Sequence, residues 1–232
     1  MKNWVEKRLG EFNQAYWGEK PAGLRGRLII FDGLDKLGKT TQAKLLYKYM
    51  KIEGKVKYFK QPTNANDTIK SRLRDIIKDE NVKLDYLAEW ALHLASHAQQ
   101  WTYSILPALE SGYDVILDRS WYSALAYQGY GRGLPKDLII KAETLASYGI
   151  EPRYLFIFHS CFENPLEVEA DKDPIESELL RDKAFNSRVS EGFFAIGAEN
   201  GMIIDMEQYA GKKFLLHDMI KAVVCREDKV TA

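Results

Sequence analysis

Residues 33–42, GLDKLGKTTQ, follow RLIIFD without a gap and open onto a stretch of helical periodicity. Gly33, four residues, Gly38, Lys39 and Thr40 give the spacing G-x-x-x-x-G-K-[ST] between a predicted strand and a predicted helix, the one context in which that spacing has a physical meaning. Glycines let backbone N–H groups turn toward an anion, and the helix that follows presents its positive end to the same point. A junction of this kind belongs to a sheet of parallel strands joined through helices. It also holds two charged side chains, Asp35 and Lys36, that a loop serving only to turn the chain would not need.

The rest of the chain agrees with that reading. Short apolar runs (RLIIF, KVKYF, YDVILD, RYLFIF and GMIID) alternate with helical patterns over about 38–53, 66–79, 83–110, 122–148, 163–200 and 212–225. Runs such as VIL and LFIF are apolar without alternation, as in strands covered on both faces, so a parallel sheet with helices on each side and right-handed crossovers is expected. Residues 1–25 stand apart as an N-terminal extension in which Trp4, Leu9, Phe12 and Trp17 fit one helical stripe, read as an appended helix or a partner-binding arm, and residues 26–232 form the expected domain.

Lys plus Arg and Asp plus Glu each total 33, so the formal net charge is zero and nothing in the whole chain points to nucleic acid or a membrane surface. Any anion site must be local. Cys161 and Cys225 lack metal-ligand spacing, the start MKNWVEKRLGEF lacks the apolar core of a signal peptide, and no apolar run approaches the ~20 residues that span a bilayer. A cytoplasmic location is expected, in a host cell if the chain is encoded by a virus.

In the loop, Lys39 is placed to reach β- and γ-phosphates and Thr40 to offer a hydroxyl to Mg2+, which makes Mg-ATP or a close relative the expected ligand. Gly33, Leu34, Asp35, Lys36, Leu37, Gly38, Lys39, Thr40 and Thr41 are its candidate contacts. A second constellation, DRSWYSALAYQG, begins where YDVIL ends, and parallel sheets bind their ligands at the carboxyl ends of strands. Asp118 can hold Mg2+ directly or through water, and Arg119 can fork onto phosphate oxygens and offset charge on a transferring phosphoryl group. Ser123, Tyr127 and Gln128 follow at helical spacing with hydroxyl and amide groups of the sort that orient a small planar ligand.

FDGLDKLGKTTQ, YFKQPT, ILPALESGYDVILDRSWYSALAYQ and AFNSRVSEGF together resemble the thymidylate kinase family, P-loop kinases that phosphorylate dTMP to dTDP with ATP and Mg2+. The resemblance covers roughly residues 26–225 and implies a three-layer α/β fold with a five-stranded parallel sheet and helices on both faces. It also implies a homodimer and a role for each motif. Asp35 would accept from the 3′-hydroxyl of the acceptor, Lys36 would stand where many relatives carry an arginine that reaches the donor phosphates, and Lys60 would take the place of an arginine on the acceptor phosphate, with Pro62 shaping the turn. Arg119 would share the acceptor phosphate, making Lys39, Arg119, Lys36 and Asp35 the catalytic set.

Two features depart from that pattern. Relatives stack thymine on a phenylalanine of the long third helix and read its O4 with an arginine four residues later. An ungapped count puts His93 and His97 there, and a small shift would bring Gln99 or Gln100 to the second position. The pair reads as base-binding, as helix histidines without a ligand, or as part of a metal site that lacks an obvious third ligand. The lid expected at about 163–185 is mostly acidic in EVEADKDPIESE, which leaves Arg181 as the candidate cation over the ATP. The activity implied is phosphorylation of a pyrimidine deoxynucleotide, dTMP first and dUMP or a 5-substituted dUMP as alternatives, against a rival reading as a catalytically weak nucleotide-binding regulator.

Overall fold

A computed structural model describes residues 24–61, 68–79, 81–160 and 182–225. Five parallel strands, β1 (Leu28–Gly33), β2 (Val56–Lys60), β3 (Asp114–Asp118), β4 (Tyr154–His159) and β5 (Met202–Asp205), lie in the order β2-β3-β1-β4-β5. The helices are α1 (Lys39–Glu53), α2 (Thr68–Lys78), α3 (Tyr86–Gln100), α4 (Leu106–Glu110), α5 (Trp121–Ala124), α6 (Lys136–Ala146), α7 (Lys183–Asn200) and α8 (Lys213–Cys225). The five-stranded three-layer architecture expected from the sequence is the one observed.

Strand periodicity explains the layers. In β1, Leu28 and Ile30 enter one buried cluster with Val115, Leu117, Leu155 and Ile157, and that side is covered by α3 through α7. Ile29 and Phe31 point the other way, joining Ile116, Phe156 and Phe158 under Leu46 of α1 and Leu216, Ile220 and Val224 of α8. Each fully buried aliphatic or aromatic side chain of this kind contributes about 1.5–3 kcal/mol relative to exposure. Both faces are apolar because both are covered, which is why the strands read as unbroken hydrophobic runs.

The helical patterns differ from expectation at three places. Residues 83–110 form α3 and α4 joined by a π-helical turn, Trp101–Ile105, rather than one uniform helix. The stretch 122–148 divides into α5, a π-helical turn Leu125–Gly131, a break and α6, because Gly133 takes φ 77° and Pro135 starts the next helix. The helix expected over 163–200 is α7 from Lys183 onward among the described residues. Most of the N-terminal extension, Pro62, Arg181 and the lid segment up to residue 181 lie outside the described residues.

Register gathers the chemistry at one edge. Phe31 pairs with Asp118, Lys60 also pairs with Asp118, and Gly33 pairs with Phe158, so β1, β2, β3 and β4 end together. From β1 the chain moves toward β2 on one side, while from β4 it moves toward β5 on the other, and α/β sheets form their ligand crevices where connections diverge in this way.

Candidate active site

The loop after β1 is held in its shape by two glycines. Gly33 has φ 123°, and a Cβ there would lie 2.1 Å from the carbonyl oxygen of Phe158, while Gly38 caps α1 at φ 84°. No acidic side chain occupies the first turn of α1, so its positive end meets the loop unopposed. The Lys39 side chain is 5 % exposed, donates to the Leu34 carbonyl and lies 3.9 Å from Asp35 Oδ1. Lys36 holds φ 62° and Arg119 φ 66°, two of the three described non-glycine residues in the left-handed region, and such conformations cost about 1–3 kcal/mol where the surroundings enforce them.

The second constellation closes on the first. Thr40 Oγ1 donates to Asp118 Oδ2 at 2.7 Å, and the Arg119 guanidinium contacts Asp35 Oδ1. Tyr127 donates to Asp35 Oδ2 at 2.9 Å, so both oxygens of the loop carboxylate face the DRSWYSALAYQ segment. Tyr58 also donates to Asp118 Oδ2, at 2.7 Å. Burial first, then that bond and the Asp118 charge, push the Tyr58 phenol upward and keep it a donor. Asp118 is fully buried, yet its Oδ1 has no hydrogen-bond partner among the described residues. A buried carboxylate oxygen left unmatched is costly, and a cation or its hydration shell is the group that suits it.

Beneath these residues Asp32 ties β1 to the start of α5. Its Oδ2 accepts from the N–H and hydroxyl of Ser120 at 2.9 and 2.8 Å and from the Ser123 N–H at 3.2 Å. Its Oδ1 accepts from the Gly33 N–H at 2.9 Å and the Ser123 hydroxyl at 2.6 Å. The Ser123 hydroxyl is therefore committed to Asp32 as donor, and it accepts a long bond of 3.4 Å from Arg119. Asp32, Tyr58 and Ser120 were not singled out from the sequence. The only sign of Asp32 was a carboxylate ending a buried strand, and its partners become visible only when β1 and β3 are side by side.

A cleft of about 510 Å3 runs from this loop past Lys60 to α2 and α3. It is lined by Asp35, Lys36, Gly38, Lys39, Thr40, Thr41, Lys60, His93, His97, Arg119, Ser123, Tyr127 and Gln128 of the sequence-derived set, and by Gln61, Arg74, Lys78, Ser120 and Ala124 besides. Six cationic side chains face one carboxylate there, the local charge that a chain of zero net charge has to concentrate if it binds phosphate. Gln61 is 2 % exposed, neither of its amide atoms is hydrogen-bonded among the described residues, and its backbone N–H donates to the Asp118 carbonyl at 2.9 Å.

The two histidines differ. His93 Nε2 is buried without a partner among the described residues, and burial, followed by the neighbouring His97, Arg74 and Arg132, pushes its pKa down to about 3. His97 Nδ1 lies 2.9 Å from Glu143 Oε2. Among the described residues no group of three metal-ligating side chains occurs, so the histidine pair gains no third ligand. Gln100 donates to the Lys60 carbonyl at 3.3 Å and is not among the cleft-lining residues. Gln128 donates to Glu89 at 3.0 Å and accepts from Arg132 at 3.1 Å.

Comparison with known proteins supports the resemblance. The family profile described as thymidylate kinase matches residues 31–213. The chain is 34 % identical to thymidylate kinase of Chlorobaculum parvum over 73 % of its own length and 82 % of the relative's. It is 35 % identical to the enzyme of the same name from Prochlorococcus marinus over 80 % and 90 % of the two chains. A crystal structure of thymidylate kinase from Ehrlichia chaffeensis superposes with a TM-score of 0.67 at 25 % identity, covering 86 % of this chain and 98 % of that one. Sequence, sheet order and the cleft at its carboxyl edge converge on one assignment: the chain belongs to the thymidylate kinase family and is a nucleoside monophosphate kinase.

Proposed function

We propose that the chain transfers the γ-phosphoryl group of Mg-ATP to a pyrimidine deoxynucleoside 5′-monophosphate, dTMP before others, yielding the diphosphate. The observation that carries this reading is the junction of the two motifs, with Thr40 bonded to Asp118 and Asp35 in contact with Arg119 across one cleft. In-line phosphoryl transfer needs positioning and charge neutralisation rather than a covalent intermediate.

Donor phosphates lie against the loop from Gly33 to Thr41, with Lys39 and Lys36 as the cations nearest them. Thr40 and Asp118 are the residues that would hold Mg2+, and the unmatched Asp118 Oδ1 supports that fit. Bound there, Mg2+ would supply charge neutralisation to the phosphate oxygens. The acceptor phosphate meets Lys60 and Arg119, and its sugar meets Asp35. The base enters the half lined by Gln61, His93, His97, Tyr127 and Gln128. A homodimer and a cytoplasmic location complete the proposal, and no described helix is long and apolar enough to cross a membrane.

The test is an acceptor panel: the protein with Mg-ATP and, separately, dTMP, dUMP, 5-substituted dUMP, dCMP, dGMP and dAMP, with nucleoside diphosphate as the readout. Formation of dTDP at the highest kcat/KM is expected. A preference for dUMP or its 5-substituted form would move the base assignment only, whereas ATP binding with no diphosphate from any acceptor would replace transfer with a regulatory role.

A further inference from the structure

Behind the base-binding half of the cleft stands a carboxylate that does not itself line it. Glu143 of α6 is 1 % exposed, and a buried carboxylate persists only where its oxygens are matched by donors. Its Oε1 accepts from Trp90 Nε1 at 3.3 Å, and its Oε2 faces His97 Nδ1 at 2.9 Å. An ionised carboxylate can only accept, so the proton of that contact belongs to Nδ1. His97 itself lines the cleft, and its Nε2 makes no hydrogen bond among the described residues. In the neutral ring Nε2 then carries a lone pair.

The ring has little freedom to present anything else. α3 carries Trp90 and His97 about two turns apart, and both end on the one carboxylate from α6, so rotating the imidazole would break a buried bond and leave Glu143 half unmatched. A carboxylate that fixes the tautomer of an imidazole by holding its other nitrogen is a recognised positioning device.

We propose that Glu143 is a positioning residue that sets His97 as a hydrogen-bond acceptor toward the acceptor base, so that the pocket selects a pyrimidine bearing N3–H, thymine or uracil, over cytosine, whose N3 is itself an acceptor. The inference rests on the base entering this half of the cleft. Selectivity in this chain thus depends on an N–H of the base edge and on a residue that never meets the ligand.

Two measurements test it. Nitrogen-15 NMR of the imidazoles in the free protein, with the His97 signals identified by their loss in His97→Phe, should show Nδ1 protonated and Nε2 unprotonated. In Glu143→Gln the amide can turn its NH2 toward Nδ1 and move the proton to Nε2. The kinetic arm compares dTMP with 5-methyl-dCMP, which keeps the ring and its methyl group but presents an acceptor at N3 and an amino group at C4. The wild type should favour dTMP by about five- to tenfold or more in kcat/KM, the scale of one hydrogen bond. Glu143→Gln, which turns an Nε2–H toward the base, should lower that ratio several-fold while leaving KM for ATP unchanged.

A protein in which both acceptors fall together, with their ratio intact, would make Glu143 merely structural and overturn the proposal. So would a wild type indifferent to the change at N3, or a free His97 that carries a proton on Nε2, with or without one on Nδ1. Should Glu143→Gln fail to fold, the wild-type spectrum and wild-type ratio decide. Absence of turnover with dTMP would count against the kinase reading, and the tautomer would still decide the positioning role.

Discussion

Asp35, the carboxylate that lines the cleft, is held by Arg119 on one oxygen and Tyr127 on the other. Asp35→Asn keeps the shape and removes the charge, and a charge-assisted bond is worth about 1.5–3 kcal/mol, so kcat/KM for the monophosphate should fall about ten- to hundredfold with KM for ATP little changed. Steady-state kinetics with each substrate varied in turn checks this. Gln61 offers the opposite balance, because its buried amide has no hydrogen-bond partner among the described residues. Gln61→Leu should leave thermal stability equal or higher while raising KM for the acceptor, and a lower melting temperature with unchanged KM would make the amide structural. What the sequence revealed at this scale were residues inside motifs: Asp35, Lys39, Thr40, Asp118 and Arg119 stand where their spacing put them. Asp32, Glu89 and Glu143 were not legible, since a carboxylate in a strand or on a helix face declares its role only through partners 39 to 91 residues away.

Among the elements, the π-helical turn Leu125–Gly131 carries Tyr127 and Gln128 into the cleft and packs against α7. Gly131 is small because it must be: a Cβ there would lie 2.4 Å from Phe185 and 2.8 Å from Val189. Gly131→Ala should therefore destabilise the fold by about 1–3 kcal/mol, lowering the melting temperature by roughly 2–4 °C per kcal/mol, and calorimetry is the check. Because the turn also carries Tyr127 and Gln128, the side chains proposed to meet the base, acceptor KM should rise with it. Helix positions were readable from apolar periodicity, and strands from their unbroken runs. The π-helical turns were not, since one residue added to a turn leaves no mark in composition and is fixed by how α3 and α7 pack.

At the scale of the molecule, the fold holds neutral a half-buried imidazole of the cleft wall. His93 holds a pKa near 3 in the folded chain, whereas an unfolded histidine takes up its proton near pH 6.5. Between those values the unfolded chain binds more protons, so stability must fall as pH drops through 6.5, by about 1–2 kcal/mol at pH 5 from this ring alone. Denaturant melts of wild type and His93→Phe at pH 7 and pH 5 isolate it: the variant should lose less stability on acidification, and equal losses would mean the ring protonates in the fold. The same molecule carries zero net charge yet sets six cations around one cleft, and that concentration is what phosphoryl transfer requires. Transfer of radiolabelled γ-phosphate from ATP to dTMP, measured for wild type and for Lys39→Ala with its fold verified, addresses this most directly. Label should appear in dTDP with the wild type and fall by about a hundredfold or more with the variant; label carried by Lys39→Ala at near the wild-type rate would contradict the assignment of this loop to the donor phosphates.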